Sequence, residues 1–229
     1  MWFVTRPSRI GLLAALLATA MGAPAHARPA VSEIVVEART GRVLHARDAD
    51  RSRRPASIAK VVTLFLVFDA LDAGELRLGR RIKISRRAAS REPSRMGLRA
   101  GTRMTVSDAM RGVAVQSAND AVVLAEALAG DERRFARLMT AKARRLGMRH
   151  TVFGDATGLP DTGTRTTARD VAMLARELLR THPDRYPLFG RRAIRWGGRT
   201  MANHNRLLGR VAGVDGIKTG YTARPGRRS

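Results

Sequence analysis

Two of the four lysines in this chain stand at spacings where an amine can do chemistry. Lys60 follows three positions after Ser57 in Ser57-Ile58-Ala59-Lys60, and Lys218 opens Lys218-Thr219-Gly220. Between them lies Ser117-Ala118-Asn119, a hydroxyl two residues from an amide. Residues three apart on a helix share a face, so the Ser57 hydroxyl and the Lys60 amine lie side by side. A hydroxyl and an amine held side by side at the start of a helix form an active-site geometry. Lysine, unlike arginine, can lose its proton when desolvated. With ten serines, four lysines and three asparagines available, chance supplies roughly 0.2 S-x-x-K, 0.1 S-x-N and 0.03 K-T-G matches. All three together arise on the order of once in a thousand such chains or less.

The first motif opens the stretch that the other elements must be arranged around. Pro55 to Gly74 reads PASIAKVVTLFLVFDALDAG, apolar on nearly every face from Val61 to Leu71. A helix with almost no polar side is central and buried, and Gly74 is its natural stop. Before it, Val31 to Asp50 alternates around Arg39-Thr40-Gly41 and predicts a hairpin. After it, Gly74 to Arg103 is polar and irregular, with short extended pieces expected at Arg81–Ser85 and Met96–Leu98. Thr105 or Ser107 caps a helix that breaks near Gln116, so Ser117-Ala118-Asn119 falls in the interruption, and Asp120 to Leu128 resumes helical spacing. Asp131–Leu146 predicts an amphipathic helix burying Phe135, Leu138, Met139 and Leu146. Its basic face (Arg133, Arg134, Arg137, Arg144, Arg145) reads as solvated, with weak attraction to an anionic envelope surface as the functional alternative. Phe153 to Thr166 is a loop in which Asp155, Thr157, Gly158, Pro160 and Asp161 shape the backbone. Thr167 to Leu179 is again an amphipathic helix, Ala193–Trp196 and Arg199–Met201 a second hairpin, His204 a structural histidine, and Val214 to Thr222 a strand carrying K-T-G.

Composition narrows the chemistry. The formal net charge is +24, from 43 basic and 19 acidic residues, but the arginines are spread from end to end rather than gathered into a nucleic-acid patch. Without cysteine there is neither a disulfide nor a thiolate metal site, and the five histidines have no metal-ligand spacing. No metal or other cofactor is expected. At the N-terminus, Arg6 and Arg9 precede the apolar run Ile10–Met21, followed by Ala25-His26-Ala27. This pattern predicts a secretory leader cleaved after Ala27 and a periplasmic mature chain.

The set S-x-x-K, S-x-N, K-T-G resembles that of serine penicillin-binding proteins and β-lactamases. The passages RRPASIAKVVT, QSANDAVVLAEALAG, DATGLPD, TTARDVAMLA, NHNRLLG and VDGIKTGYT are similar to D-alanyl-D-alanine carboxypeptidases of low molecular mass, over Val31 to Thr222. The resemblance implies that Ser57 attacks the carbonyl of the D-Ala-D-Ala bond of peptidoglycan stem peptides and forms an acyl-enzyme. β-Lactam antibiotics would acylate the same serine. By the same resemblance Lys60 is the base, its proton affinity lowered by burial and by Lys218, and Ser117 relays a proton to the leaving amine. Asn119 orients Lys60 and holds the substrate amide, while Lys218 and Thr219 face the substrate carboxylate. Gly220 lets the chain lie close to the acyl group, and the backbone N–H groups of Ser57 and Tyr221 form the oxyanion hole.

The implied fold is α+β, an antiparallel sheet packed with a helical region. The family's domain runs on beyond K-T-G, whereas nine residues follow Gly220 here, so the expected fold lacks its last strands and closing helix, as in a truncated gene product. The expected organisation is a leader over 1–27, an incomplete catalytic domain over 28–222 and an irregular basic tail over 223–229. Two alternatives carry weight. A class A β-lactamase relative would suit the spacing of Ser57 and Ser117, but no E-x-x-L-N segment lies between Ser117 and Lys218. A non-catalytic envelope-binding protein would keep the fold and the basic surface alone.

Overall fold

The computed structural model describes residues 31–91, 96–118, 120–159 and 162–220. The leader, Asn119, Pro160, Asp161, Tyr221 and the basic tail lie outside them. The architecture is α+β and is arranged around helix α1, Ala59–Asp72. Ten of its fourteen residues are buried, and Leu64, Phe65, Val67 and Phe68 have no exposed surface at all. A helix so apolar is stable only with neighbours on all sides. α3 (Val106–Gln116), α4 (Asp120–Ala129) and α5 (Glu132–Arg145) supply them.

Local chemistry sets where these helices begin. Thr105 precedes α3 and accepts a hydrogen bond from the Asp108 N–H at 3.0 Å; Asp131 does the same for Arg134 before α5, and Thr167 for Asp170 before α6 (Ala168–Thr181). α3 ends where Ser117 turns left-handed with φ 55°, its N–H still bonded to the Gly112 carbonyl. Ser117-Ala118 thus forms the predicted break. At the start of α1 the chain differs from a simple capped helix. A 3₁₀ turn, Ala56–Ile58, precedes it, and Ser57 lies within that turn. A short helix α2 spans Arg86–Ser90.

The strands form three antiparallel pairs: β1 (Glu33–Val36) with β2 (Val43–Arg47), β3 (Arg81–Lys83) with β4 (Arg103–Thr105), and β5 (Ala193–Trp196) with β6 (Arg199–Ala202). Both predicted hairpins are present. Three expectations need correction. The extended piece that follows β3 is Arg103–Thr105, its partner, and not Met96–Leu98, where Gly97 turns left-handed at φ 63° between the buried Met96 and Leu98. Leu138 is 45% exposed, since the buried stripe of α5 runs through Phe135, Ala136, Met139 and Ala143. Val214–Gly220 is not a strand: among the described residues no backbone ladder runs beside it, and alternation fixes a face but cannot supply a partner. No described helix is long and apolar enough to cross a membrane.

The far end of α1 is anchored by a polar cluster inside apolar walls. His182 packs edge-on against Phe65 and Phe68, at ring separations of 5.0 and 5.4 Å. Its Nε2 is 3.1 Å from Asp69 Oδ1, and Lys142 Nζ reaches Asp69 Oδ2 at 2.8 Å. Nδ1 lies 3.0 Å from Asp72 Oδ2 without the alignment of a hydrogen bond. Phe68 joins this cluster to Phe189 on the opposite side. Phe68→Ala is expected to lower the unfolding free energy by about 3–5 kcal/mol in urea titrations, the usual result of emptying a close-packed aromatic site.

Candidate active site

Lys60 is the second residue of α1, in its first turn, where its side chain is buried and only 3% of the residue is exposed. It donates a hydrogen bond to Ser57 Oγ at 3.2 Å. The 3₁₀ turn aims the Ser57 hydroxyl back over the helix start, as the i, i+3 spacing requires. Burial pushes the Lys60 ammonium down from its ordinary 10.5 to about 8, with Asp155 and then Asp120 pulling it back up. The Lys218 amine is lowered to about 7, first by burial and then by the like charge of Lys60. Of the two causes expected to lower Lys60, burial and Lys218, burial is the leading one. Two amines held near neutrality within electrostatic reach of one hydroxyl can both move protons and receive an anion.

Two backbone segments converge on the Ser57 turn. Gly220 ends the K-T-G stretch beside it; a Cβ added there would come 3.2 Å from the Pro55 carbonyl and 3.4 Å from Ile58 Cγ1. Lys218 is half-buried, and its Nζ donates to the Thr219 carbonyl at 2.9 Å. From the other side comes the 153–166 loop. Gly158, at φ +75°, lies so close that a Cβ would stand 1.9 Å from the Ala56 carbonyl. Asp155 holds the loop in that shape by accepting from the N–H groups of Gly158 (2.8 Å) and Leu159 (3.3 Å) and from the Thr157 hydroxyl. Thr63 on α1 donates to the Ala156 carbonyl at 2.8 Å, and buried Glu132 accepts from the Ala156 N–H at 3.3 Å. A separate groove of about 580 Å³ between β1 and α6 reaches the turn through Pro55 and Ile58, not through Ser57 or Lys60.

A family profile described as D-alanyl-D-alanine carboxypeptidase matches residues 18–228. The chain belongs to that family. It is 36% identical over 206 residues to the D-alanyl-D-alanine carboxypeptidase DacF of Bacillus subtilis, covering 86% of this chain and 52% of that protein. Among solved structures, the D-alanyl-D-alanine carboxypeptidase DacD of Francisella tularensis superposes with a TM-score of 0.81 at 28% identity, over 83% of this chain and 59% of that one. Penicillin-Binding Protein D2 of Listeria monocytogenes, solved in an ampicillin-bound form, gives 0.75 at 30% identity, over 83% and 78%. The chain spans about half the length of the curated relatives it matches.

In this chain Lys60 is hydrogen-bonded to Ser57, and Gly220, with Lys218 and Thr219 just before it, lies against the Ser57 turn. Ser117 occupies the break between α3 and α4, and its Oγ has no hydrogen-bond partner among the described residues. Asn119 and Tyr221 lie outside those residues. Sequence reasoning passed over three groups that shape the site: Asp120, Glu132 and Gly112. The one available signal was the position of Asp120, an acid at the head of the apolar run DAVVLAEALA.

Two outcomes follow from this geometry. Gly158→Ala forces both a left-handed alanine and a backbone clash, so it is expected to destabilise by about 2 kcal/mol or more in urea titrations. Lys60 carries its proton with greater difficulty in the fold than in the unfolded chain. Its burial therefore opposes folding fully below the folded midpoint of about 8 and ceases to do so as pH rises to 10.5. Lys60→Met is expected to stabilise at pH 6 by about 2 kcal/mol, with the difference closing by pH 10.5, as read from urea titrations across that range.

Proposed function

We propose that this chain carries the catalytic machinery of a serine-type D-Ala-D-Ala carboxypeptidase of the periplasm. It would act on peptidoglycan stem peptides through an acyl-enzyme on Ser57, and β-lactams would acylate the same atom. The carrying observation is the 3.2 Å hydrogen bond between Ser57 and a buried Lys60 whose amine titrates near neutrality. A lysine at its ordinary 10.5 would be a permanent ammonium, useless as a base; at about 8 a usable fraction is the free amine at neutral pH.

In this reading neutral Lys60 takes the Ser57 proton as Oγ forms a bond to the penultimate D-Ala carbonyl. The bond to the terminal D-alanine breaks, and the Ser117 hydroxyl passes the proton to the departing amine. Water then hydrolyses the ester and regenerates Ser57. Lys218, when protonated, and Thr219 hold the terminal carboxylate, while Asn119 orients the substrate amide. The N–H groups of Ser57 and Tyr221 stabilise the oxyanion. The ampicillin-bound relative in Listeria supports the β-lactam part of the proposal. The leader would be removed after Ala27 on export.

A fluorescent penicillin tests this directly. The folded full-length chain is expected to take one covalent label, lost in Ser57→Ala, and an unlabelled folded chain overturns the reading. The labelling rate is expected to rise about tenfold per pH unit below a midpoint near 8, since only the free amine accepts the proton. Rapid turnover of the penicillin would instead identify a β-lactamase.

A further inference from the structure

Val214–Gly220 carries the second amine of the site, yet no backbone ladder runs beside it among the described residues. Its backbone groups need other partners, because a carbonyl shielded from water without one is costly. Two consecutive residues just ahead of Lys218 are held by side chains instead. The Tyr186 hydroxyl donates to Asp215 Oδ1 at 3.0 Å, and Asn205 Nδ2 donates to the Gly216 carbonyl at 3.2 Å. The same two residues press on the chain at Phe189 and Gly190. A Cβ added to Gly216 would come 3.2 Å from Phe189 Cβ, and one added to Gly190 would come 2.8 Å from the Asp215 carbonyl. Phe189 is fully buried and packs on Phe68 of α1.

Asn205 closes the turn Asn203-His204-Asn205, which the acylation chemistry does not use. Asn203 Oδ1 accepts the Asn205 N–H at 2.8 Å, and Asn203 Nδ2 donates to the Arg191 carbonyl at 2.9 Å. Asn205 Oδ1 accepts the Leu207 N–H at 3.1 Å, which leaves the amide nitrogen facing Gly216. The turn also touches the end of α3. The His204 N–H reaches the Val115 carbonyl at 3.4 Å, and Gln116 Nε2 donates to the Ala202 carbonyl. Val115 stands two residues before Ser117, and Gly216 two before Lys218. One turn is thus bonded to the stretch leading into the Ser117 break and to the stretch leading into K-T-G.

We propose that Asn205 is the positioning residue of Lys218: its amide bond to the Gly216 carbonyl sets where the K-T-G amine stands, and so how well the site holds a substrate carboxylate. Asn205 acts only through the Gly216 peptide and touches no reacting atom. In a strand, many ladder bonds share the task of fixing register; here one side-chain amide holds the main chain directly. Tyr186 cannot take its place, because it bonds the Asp215 side chain, whose own rotation absorbs movement of the backbone. Ser57 and Lys60 do not depend on Asn205, since their 3.2 Å bond lies within the first turns of α1 and its lead-in. A displaced Lys218 therefore weakens carboxylate binding and leaves the attack by Ser57 in place.

The inference rests on the acylation chemistry proposed above, and its test separates the two. In the full-length chain, Asn205→Ser removes the amide donor, adds no charge and keeps a hydroxyl for the Leu207 N–H. Asn205→Asp, closer in shape and likewise without the donor, is the second variant. The probe is a fluorescent penicillin, whose carboxylate stands for that of the substrate. Each variant is expected to raise the half-saturating penicillin concentration about tenfold, as for one lost hydrogen bond, with the limiting labelling rate within about twofold of wild type. A structural role alone would lower the melting temperature and leave the half-saturating concentration in place. That concentration unchanged in either folded variant, or a loss confined to the limiting rate, overturns the proposal. The chain has four lysines, so a carbon-13 label at lysine Cε gives a second reading that needs no acylation, and the Lys218 signal is the one lost in Lys218→Arg. Asn205→Ser is expected to shift that signal and to leave the Lys60 signal where it is; an unmoved Lys218 signal overturns the proposal. If penicillin labels the wild type and neither reading moves, this inference fails and the proposed function stands. If the Lys218 signal moves but nothing labels, the positioning stands and the function fails.

Discussion

Taking an ammonium group out of water is costly, and the burial of Lys60 in the first turn of α1 is the condition on which the surrounding structure depends. The helix is apolar on every side, so its first turn cannot be moved to the surface without exposing Leu64, Phe65 and Phe68. The amine is therefore held inside by the core itself. What a surface lysine would lose by being drawn in, this one has already lost in folding, and a weakly held proton next to a serine hydroxyl is the consequence. A part of the stability of the hydrophobic core is thereby converted into reactivity at one nitrogen.

Around that nitrogen the protein places groups that differ in kind. The 153–166 loop is a stiff wall, tied by Asp155 to its own backbone and by Thr63 and Glu132 to α1 and α5. The K-T-G segment brings a second amine and closes on the Ser57 turn through a glycine with no side chain to obstruct it. The break between α3 and α4 offers a serine hydroxyl with no hydrogen-bond partner among the described residues, followed by a buried acid. Each comes from a separate stretch of chain, and each touches the first turn of α1 or its charge. The cluster of His182, Asp69 and Lys142 fixes the other end of the helix, so the axle is held at both ends.

Much of the fold was legible in the residues because its signals are local. Gly74 and Thr105, Asp131 and Thr167 mark helix ends through φ preference and capping, and both hairpins announce themselves by alternation around short turns. The misreadings share a cause. Met96–Leu98 and Val214–Gly220 look extended, but a strand is a relation between two segments, and the partner is absent from the local pattern. Leu138 sits near the edge of a helical stripe, where a small rotation of α5 decides whether it is buried.

The sequence by itself determined which chemistry is available: a serine three residues before a lysine, a second lysine in K-T-G, a serine at a helix break, and no thiol. Spacing along one helix is enough to pair Ser57 with Lys60, because that pairing is fixed by 3.6 residues per turn. Only the tertiary structure decided the charge states. Whether Lys60 is an amine or an ammonium depends on how much water the packed helices remove and on which distant residues, Asp120 and Asp155 among them, are folded against it. Desolvation and Coulomb interaction act through space, and no reading of neighbours along the chain contains those distances.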